Sequence, residues 1–282
     1  VLLDHRHLAI PETLAEAAAA LDARPQARVI AGGTELMPDL VAGRKQPTGF
    51  VSLQRVAELR GVREEDGTLV IGAATPVVEL IGLTQAPALA AAAASLGTPQ
   101  VRNLGTAGGN VMSALPFRNL LPALIALDAE IELTATAGTR RVPYRDFTRA
   151  PGETVRAPGE IVSAIRVPVL DGFQDYVKVG RRNAQFVAVS SAALVVDRAG
   201  RNVRLGFGNA APTPVRAPAA EAHAAEHVDW EAGTLDAAAA AECARLAAAS
   251  VDPPDDHIAS AAYRRHATGV LARRLLERAF GV

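Results

Sequence analysis

The sequence predicts an α+β fold built in two parts. Three observations carry that reading. Strand and helix patterns are mixed without strict βαβ alternation, two glycine loops lie in the first half, and an alanine-rich helical run closes the chain. With 282 residues the chain can hold two domains of ~150 residues. The proline-bounded stretch 168–172 reads as the linker. It divides the chain into residues 1–170, with two lobes at about 1–53 and 54–170, and residues 171–282, a three-stranded sheet with helices.

Taken in order, Pro11, Glu12 and Thr13 open a helix through Leu14, Ala17, Ala18 and Leu21, with acidic residues in its first turns. A short strand, 27–30, runs into the first glycine loop. Thr34 then reads as the N-cap of a helix carrying Leu36, Met37 and Leu40. Residues 51–53 read as strand, and Asp66-Gly67 marks a hairpin between 59–65 and 68–71. Helices fit 76–81 and 87–95. An irregular approach, 97–105, leads to the second glycine loop, and a helix over 117–127 contains Pro122 as a candidate kink. Strands at 130–135 and 140–143 pair across Ala137-Gly138, a loop spans 151–158, and a strand covers 160–167. Beyond the linker come strands at 174–179, 186–197 and 202–207, then helices at 214–226, 236–249 and 258–280.

Bulk properties exclude several classes of function. Lys plus Arg (29) balances Asp plus Glu (30), and aromatics are 4%, which argues against nucleic acid or an anionic membrane surface. The single cysteine, Cys243, rules out a disulfide framework and an iron–sulfur cluster held by this chain's cysteines. Apolar runs are too short for a membrane span, and the start of the sequence has no leader pattern, so a cytoplasmic protein is expected.

The glycine loops are the strongest chemical signal. Ala31-Gly32-Gly33-Thr34-Glu35 follows a strand directly, and Thr106-Ala107-Gly108-Gly109-Asn110 lies 75 residues further on. Paired glycines let a backbone approach a ligand closely, and successive N–H groups turned inward form an anion nest. Neither loop carries the Gly-Lys-Ser/Thr of a phosphate-cleaving site, so the pair suits holding a pyrophosphate statically. Other motifs read as structure. Gly206-Phe207-Gly208-Asn209-Ala210-Ala211 matches a dinucleotide fingerprint, but Pro212-Thr213-Pro214 delays the helix that motif needs. His223-Ala224-Ala225-Glu226-His227 matches a zinc-peptidase pattern without a buried third ligand and reads as surface histidines. Arginine pairs at 181–182, 264–265 and 273–274 read as solvated faces, and Cys243 as a small buried residue. Tyr176 and Lys178 share one face of their strand.

The order of these stretches resembles the FAD-binding medium subunit of the molybdenum hydroxylases, the family of carbon monoxide and xanthine dehydrogenases. The similarity runs through Ala31–Leu36, Leu104–Val111, the Leu-Pro-Ala-Leu-Ile-Ala-Leu-Asp helix at 121–128, Gly159-Glu160-Ile161-Val162, the 176–182 strand and Ala262-Tyr263-Arg264-Arg265. It implies a two-lobed FAD domain of the p-cresol methylhydroxylase / vanillyl-alcohol oxidase type, followed by a C-terminal α+β domain. It also implies that Ile30, Ala31, Gly32, Gly33, Thr34, Glu35 and Leu36, with Thr106, Gly108, Gly109 and Asn110, wrap the FAD pyrophosphate and ribityl chain. Leu96, Gly97, Ile161 and Val162 would lie along the dinucleotide, and Tyr176 and Lys178 by the flavin or ribityl end. Arg118-Asn119 stands where the family commonly has an acidic residue. Asn119 keeps an acceptor and Arg118 could offset phosphate charge. Asn183-Ala184-Gln185 also replaces a commonly acidic position.

By the same resemblance, a molybdenum-cofactor large subunit and a [2Fe–2S] small subunit are the partners, assembled as a dimer of heterotrimers. Electrons would pass from the clusters through FAD to an external acceptor. No catalytic acid, base or nucleophile and no metal ligand set is expected on this chain, because a flavin carries the redox chemistry itself. A self-sufficient FAD-dependent oxidoreductase and a non-catalytic assembly subunit are the alternatives.

Overall fold

The computed structural model describes residues 7–182 and 185–281. It opens with β1 (Leu8–Ala9), α1 (Leu14–Ala23), β2 (Arg28–Ile30), α2 (Leu36–Val41) and β3 (Phe50–Ser52). The three strands form a small parallel sheet in the order β1-β3-β2. Thr13 caps α1 by accepting the Glu16 N–H at 3.1 Å. α2 departs from expectation. Glu35, not Thr34, stands at its N-cap and makes no side-chain capping bond, while the Gly33 carbonyl accepts the Met37 N–H at 2.9 Å.

Next come β4 (Val62–Glu65), β5 (Thr68–Gly72), α3 (Val77–Leu80), α4 (Pro87–Ala94), α5 (Pro99–Leu104), α6 (Ala107–Met112), α7 (Leu120–Ala126), β6 (Glu130–Ala135), β7 (Gly138–Pro143), the short pair β8 (Thr148–Ala150) and β9 (Glu153–Thr154), and β10 (Ile161–Pro168). β4, β5, β10, β6 and β7 form a five-stranded antiparallel sheet in that order. The stretch expected to be irregular before the second glycine loop is helical. Thr98 caps α5 through the Val101 N–H, with Pro99 in the first turn, and Thr106 caps α6. Pro122 lies in the first turn of α7, where its missing N–H would have no helical acceptor.

The last third holds β11 (Gln174–Val179), β12 (Ser190–Asp197), β13 (Asn202–Gly208), β14 (Val215–Arg216), α8 (Pro218–His227), α9 (Ala237–Ala249) and α10 (Ala261–Phe280). The sheet is four-stranded, β11-β12-β13-β14, rather than three-stranded. The added strand takes residues expected to begin a helix, because Val215 and Arg216 pair with Phe207 and Gly206. All eight residues of β12 are buried. Ala193 and Val195 face one core, shared with α4, α7 and the five-stranded sheet. Ala192, Leu194 and Val196 face a second core under α8, α9 and α10. A strand covered on both faces reads as a continuous apolar run.

Two sequence signals acquire structural roles here. Gly206 sits within β13, not in a phosphate loop, and a β-carbon there would lie 2.1 Å from the Pro122 carbonyl oxygen of α7. Arg264 is fully buried rather than solvated. Its guanidinium meets both Asp256 oxygens at 2.8 Å and the Pro254 carbonyl at 2.9 Å, which ties the loop before α10 to that helix. Gly206→Ala is expected to lower unfolding stability by roughly 2 kcal/mol through overpacking at α7. Gly82→Ala, where a β-carbon meets nothing within 4 Å, should stay within about 0.5 kcal/mol of the parent in the same urea titration.

Candidate functional site

Strand β2 delivers the chain into the first glycine loop, and α5 brings Leu104 and Gly105 against it. Contact is made at Gly32. A β-carbon there would lie 1.9 Å from the Leu104 carbonyl oxygen and 3.0 Å from the Gly105 Cα, so only glycine lets the two segments meet. Gly33 turns with φ +68°. From Gly32 to Glu35, no backbone N–H reaches an acceptor among the described residues. That run of free donors is the anion nest expected from the sequence.

The second loop is built differently. The N–H groups of Ala107 and Gly108 donate to the Thr75 and Ala73 carbonyls at 2.9 and 2.8 Å. Gly109 donates to Thr106 Oγ1 at 3.1 Å, and Asn110 to the Thr106 carbonyl at 3.0 Å. It is therefore a capped helix start riveted to the β5–α3 connection, and the expectation of a second nest does not hold. Gly108 is needed for that packing, since a β-carbon would lie 2.6 Å from the Ala73 Cβ. What this loop offers is the Asn110 side chain, whose Oδ1 is buried without a hydrogen-bond partner.

Between the loops lies a cavity of about 480 Å³. Ile30, Ala31, Gly32, Gly33, Thr34, Glu35, Leu36, Leu96, Thr106, Gly108, Gly109, Asn110, Arg118, Ile161 and Val162 all line it. Gly97, Asn119, Tyr176 and Lys178 do not line it and gather instead around the end of α4. Asn119 Nδ2 donates to Ser95 Oγ at 2.7 Å, and Lys178 Nζ donates to the Ser95 carbonyl at 2.6 Å. Arg102 donates to the Leu96 and Gly97 carbonyls at 2.8 and 3.0 Å. Three successive carbonyls at a helix C-terminus are thus held by two cationic side chains, and Leu96 is fixed in the cavity wall. Tyr176 packs into the same core, and burial pushes its phenol up to about 12. Lys178 lies 4.3 Å from the Phe186 ring centroid, and burial lowers its ammonium from 10.5 to about 8. Asn183 and Ala184 lie outside the described residues.

The charges around the cavity are mostly paired. Arg118 binds the Glu35 carboxylate and donates from Nε to Ser113 Oγ at 2.8 Å, so its charge is matched within the chain rather than free for a phosphate. Lys45 is 2.7 Å from Asp39. Glu160 is gripped by Arg140 at 2.5 and 2.8 Å and by the Ala157 N–H at 2.6 Å. The Arg140 bond is the chief reason its carboxyl lies below the usual range. Arg28, Lys45, Arg156 and Glu160 also line the cavity, and sequence reasoning missed them as site residues. Arg28 was detectable as the residue opening the strand before the loop. Arg156 and Glu160 sit in a Pro-Gly turn whose return to the cavity depends on sheet pairing.

The arrangement can bind an extended anionic ligand. It offers four free N–H donors, a buried unpaired acceptor and a glycine cradle, all of which fit a dinucleotide pyrophosphate and its polyol arm. Among its described lining residues the carboxylates of Glu35 and Glu160 are ion-paired with Arg118 and Arg140, and Lys45 with Asp39. Cys243 is buried, and that burial pushes its thiol up to about 12. His223 and His227 stack with ring centroids 4.1 Å apart, yet no group of three or more His, Cys, Asp or Glu able to hold a metal occurs among the described residues. No described helix is long and apolar enough to cross a membrane. Lys178 gives a solution test. Its folded-state pKa is depressed, so the folded form binds fewer protons than the unfolded one between pH 8 and 10.5, and its contribution to stability rises across that window. Lys178→Met lacks this upward slope, so in urea titrations at pH 7.5 and 10 the parent should gain stability relative to the variant at the higher pH.

Comparison with known proteins agrees with the cavity's chemistry. Residues 5–170 match the family model of the FAD-binding domain in molybdopterin dehydrogenase, and residues 175–279 match the CO dehydrogenase flavoprotein C-terminal domain. The chain is 34% identical to the carbon monoxide dehydrogenase medium chain of Afipia carboxidovorans, covering 95% of this chain and 94% of that one. It is 32% identical to the xanthine dehydrogenase FAD-binding subunit of Escherichia coli, covering 95% and 93%. The solved carbon monoxide dehydrogenase of Hydrogenophaga pseudoflava superposes with a TM-score of 0.87 at 31% identity, over 99% of this chain and 98% of that one. With the family's FAD-binding domain and flavoprotein C-terminal domain present in order, the chain belongs to the FAD-binding medium subunits of the molybdenum hydroxylases, a family of oxidoreductases.

Proposed function

We propose that this chain is the electron-transfer subunit of a molybdenum hydroxylase, with FAD lying in the cavity between the two glycine loops. One observation carries the placement. The unpaired N–H groups of Gly32, Gly33, Thr34 and Glu35 and the unpaired Oδ1 of Asn110 line a single cavity. Donors in a row suit the pyrophosphate oxygens, and a buried acceptor suits a hydroxyl of the ribityl or ribose chain. When bound, FAD supplies the conversion between single-electron and two-electron transfer.

The chain's own residues bind and orient. Gly32 lets the loops close on the pyrophosphate, and Arg118 holds Glu35 away from it by pairing with the carboxylate. Lys178, Asn119 and Arg102 fix the end of α4 and so act on the cavity through Leu96. On this reading residues 1–170 are the FAD-binding domain and 171–282 the C-terminal domain. The partners are a molybdenum-cofactor large subunit and a [2Fe–2S] small subunit in a dimer of heterotrimers, which passes electrons through FAD to an external acceptor. Cytoplasmic residence follows from the cofactor set proposed for the complex and suits a chain with one buried cysteine.

Equilibrium titration with FAD tests the placement. The purified chain should take up about one flavin, since the cavity is in the ordinary size range for small-molecule sites. Asn110→Leu should weaken uptake on the order of tenfold by removing the buried acceptor. Gly32→Ala should weaken it further by forcing Leu104 away. A parent chain that binds no FAD would remove the proposal. Native purification should bring down molybdenum and iron on other polypeptides, and a complex without either metal would exclude the assigned partners.

A further inference from the structure

The cavity has one end whose chemistry the pyrophosphate grip does not use. There the turn 156–160 folds back beside the start of β2, and Gln26, Arg28, Arg156, Ile161 and Val162 line the wall. Glu160 is committed to Arg140 and to the Ala157 N–H, which holds the turn closed. Arg156 is half-buried and uses a single nitrogen within the chain. Nη1 donates to the Glu160 carbonyl at 2.7 Å and to the Ala157 carbonyl at 3.1 Å. Nε and Nη2 donate to nothing among the described residues, and no carboxylate stands within ion-pair distance of the guanidinium among them. A guanidinium anchored at one corner beside a cavity, with its remaining donors unpaired among the described residues, is set up for a flat partner carrying acceptor nitrogens.

We propose that Arg156 recognises the adenine ring of the bound dinucleotide, and so sets the preference of this site for FAD over FMN. Position separates this role from pyrophosphate binding. Arg28 and Ala31 are three strand residues apart, roughly 10 Å at the usual rise, so the Arg28 end stands about a nucleoside's length from the free N–H groups. Adenine presents acceptor nitrogens at its edge and a π face, both of which a planar guanidinium engages. With the adenosine half on this side of the pyrophosphate, flavin mononucleotide has no group that reaches this end. Burial foremost, and then the neighbouring Arg28 cation, hold the Arg156 guanidinium below its ordinary value, with Glu160 opposing. An electron-rich ring lying over the half-buried guanidinium would supply the partner that its Nε and Nη2 lack.

The inference rests on FAD as occupant, and the test separates the two. FAD, FMN and AMP are titrated into the purified parent chain and into Arg156→Leu and Arg156→Lys, with Arg141→Leu as an exposed control. Urea midpoints are measured for each variant. Arg156→Leu is expected to weaken FAD and AMP about tenfold while leaving FMN unchanged, and Arg156→Lys, which keeps the charge but loses the planar fork, to fall between. Arg141→Leu should match the parent. Equal weakening of FAD and FMN would assign Arg156 to the phosphates and overturn the inference, and so would unchanged FAD affinity. If Arg156→Leu shifts its urea midpoint, Arg156→Lys decides by the same comparison. A parent chain that fails to bind FAD would instead defeat the underlying placement of the cofactor.

Discussion

The contact between Gly32 and the Leu104 carbonyl is the constraint on which the site depends. It brings a loop leaving a three-stranded parallel sheet against a helix end that belongs with the five-stranded sheet. Any side chain at position 32 would hold these segments apart, and the cavity would lose one wall. The contact also divides the labour. The first loop leaves the N–H groups of Gly32 to Glu35 without acceptors among the described residues, whereas the second gives its N–H groups to Ala73, Thr75 and Thr106. One side of the site is therefore a donor surface, and the other is a rigid support that presents a single acceptor, Asn110 Oδ1.

The C-terminal third reaches the site through packing. β12 is covered on both faces, so the four-stranded sheet shares a core with α4 and α7 and holds α8, α9 and α10 on its other side. Along β11, Tyr176 and Lys178 point toward α4, and Lys178 closes on the Ser95 carbonyl. Ser95 also receives Asn119 from the start of α7. That small polar hub sets the position of Leu96 in the cavity wall, so side chains outside the cavity act on its shape. Half-burial of an ammonium at this junction explains the lowered Lys178 pKa, because little water remains to solvate the charge.

Much of the site was legible as local sequence. Glycine pairs directly after a strand, with Thr and Asn beside them, announce close backbone approach. Fifteen of the residues expected to hold the cofactor do line one cavity. The misreadings have physical causes. Thr98-Pro99 is a cap followed by a first-turn proline, yet the short α5 and α6 carry too few apolar residues to show a period. Val215-Arg216 shows no strand pattern over two residues and becomes β14 only because Phe207 and Gly206 offer an open edge. Arg264 looks like half of a surface pair until Asp256 and the Pro254 carbonyl enclose it.

By itself the sequence determined most of the elements, the α+β class and the placement of glycine where no side chain could stand, because these follow from residue-by-residue conformational preference and spacing. Tertiary structure decided which N–H groups remain free, which charges are already matched, and which distant turn forms the cavity's far wall. Arg118 and Arg156 show the difference. Both are arginines in polar stretches, but one meets Glu35 across 83 residues, while the other is left with two open nitrogens. Hydrogen bonds and ion pairs between segments far apart in the chain depend on distances that no local pattern encodes, and here those distances determine what the cavity can hold.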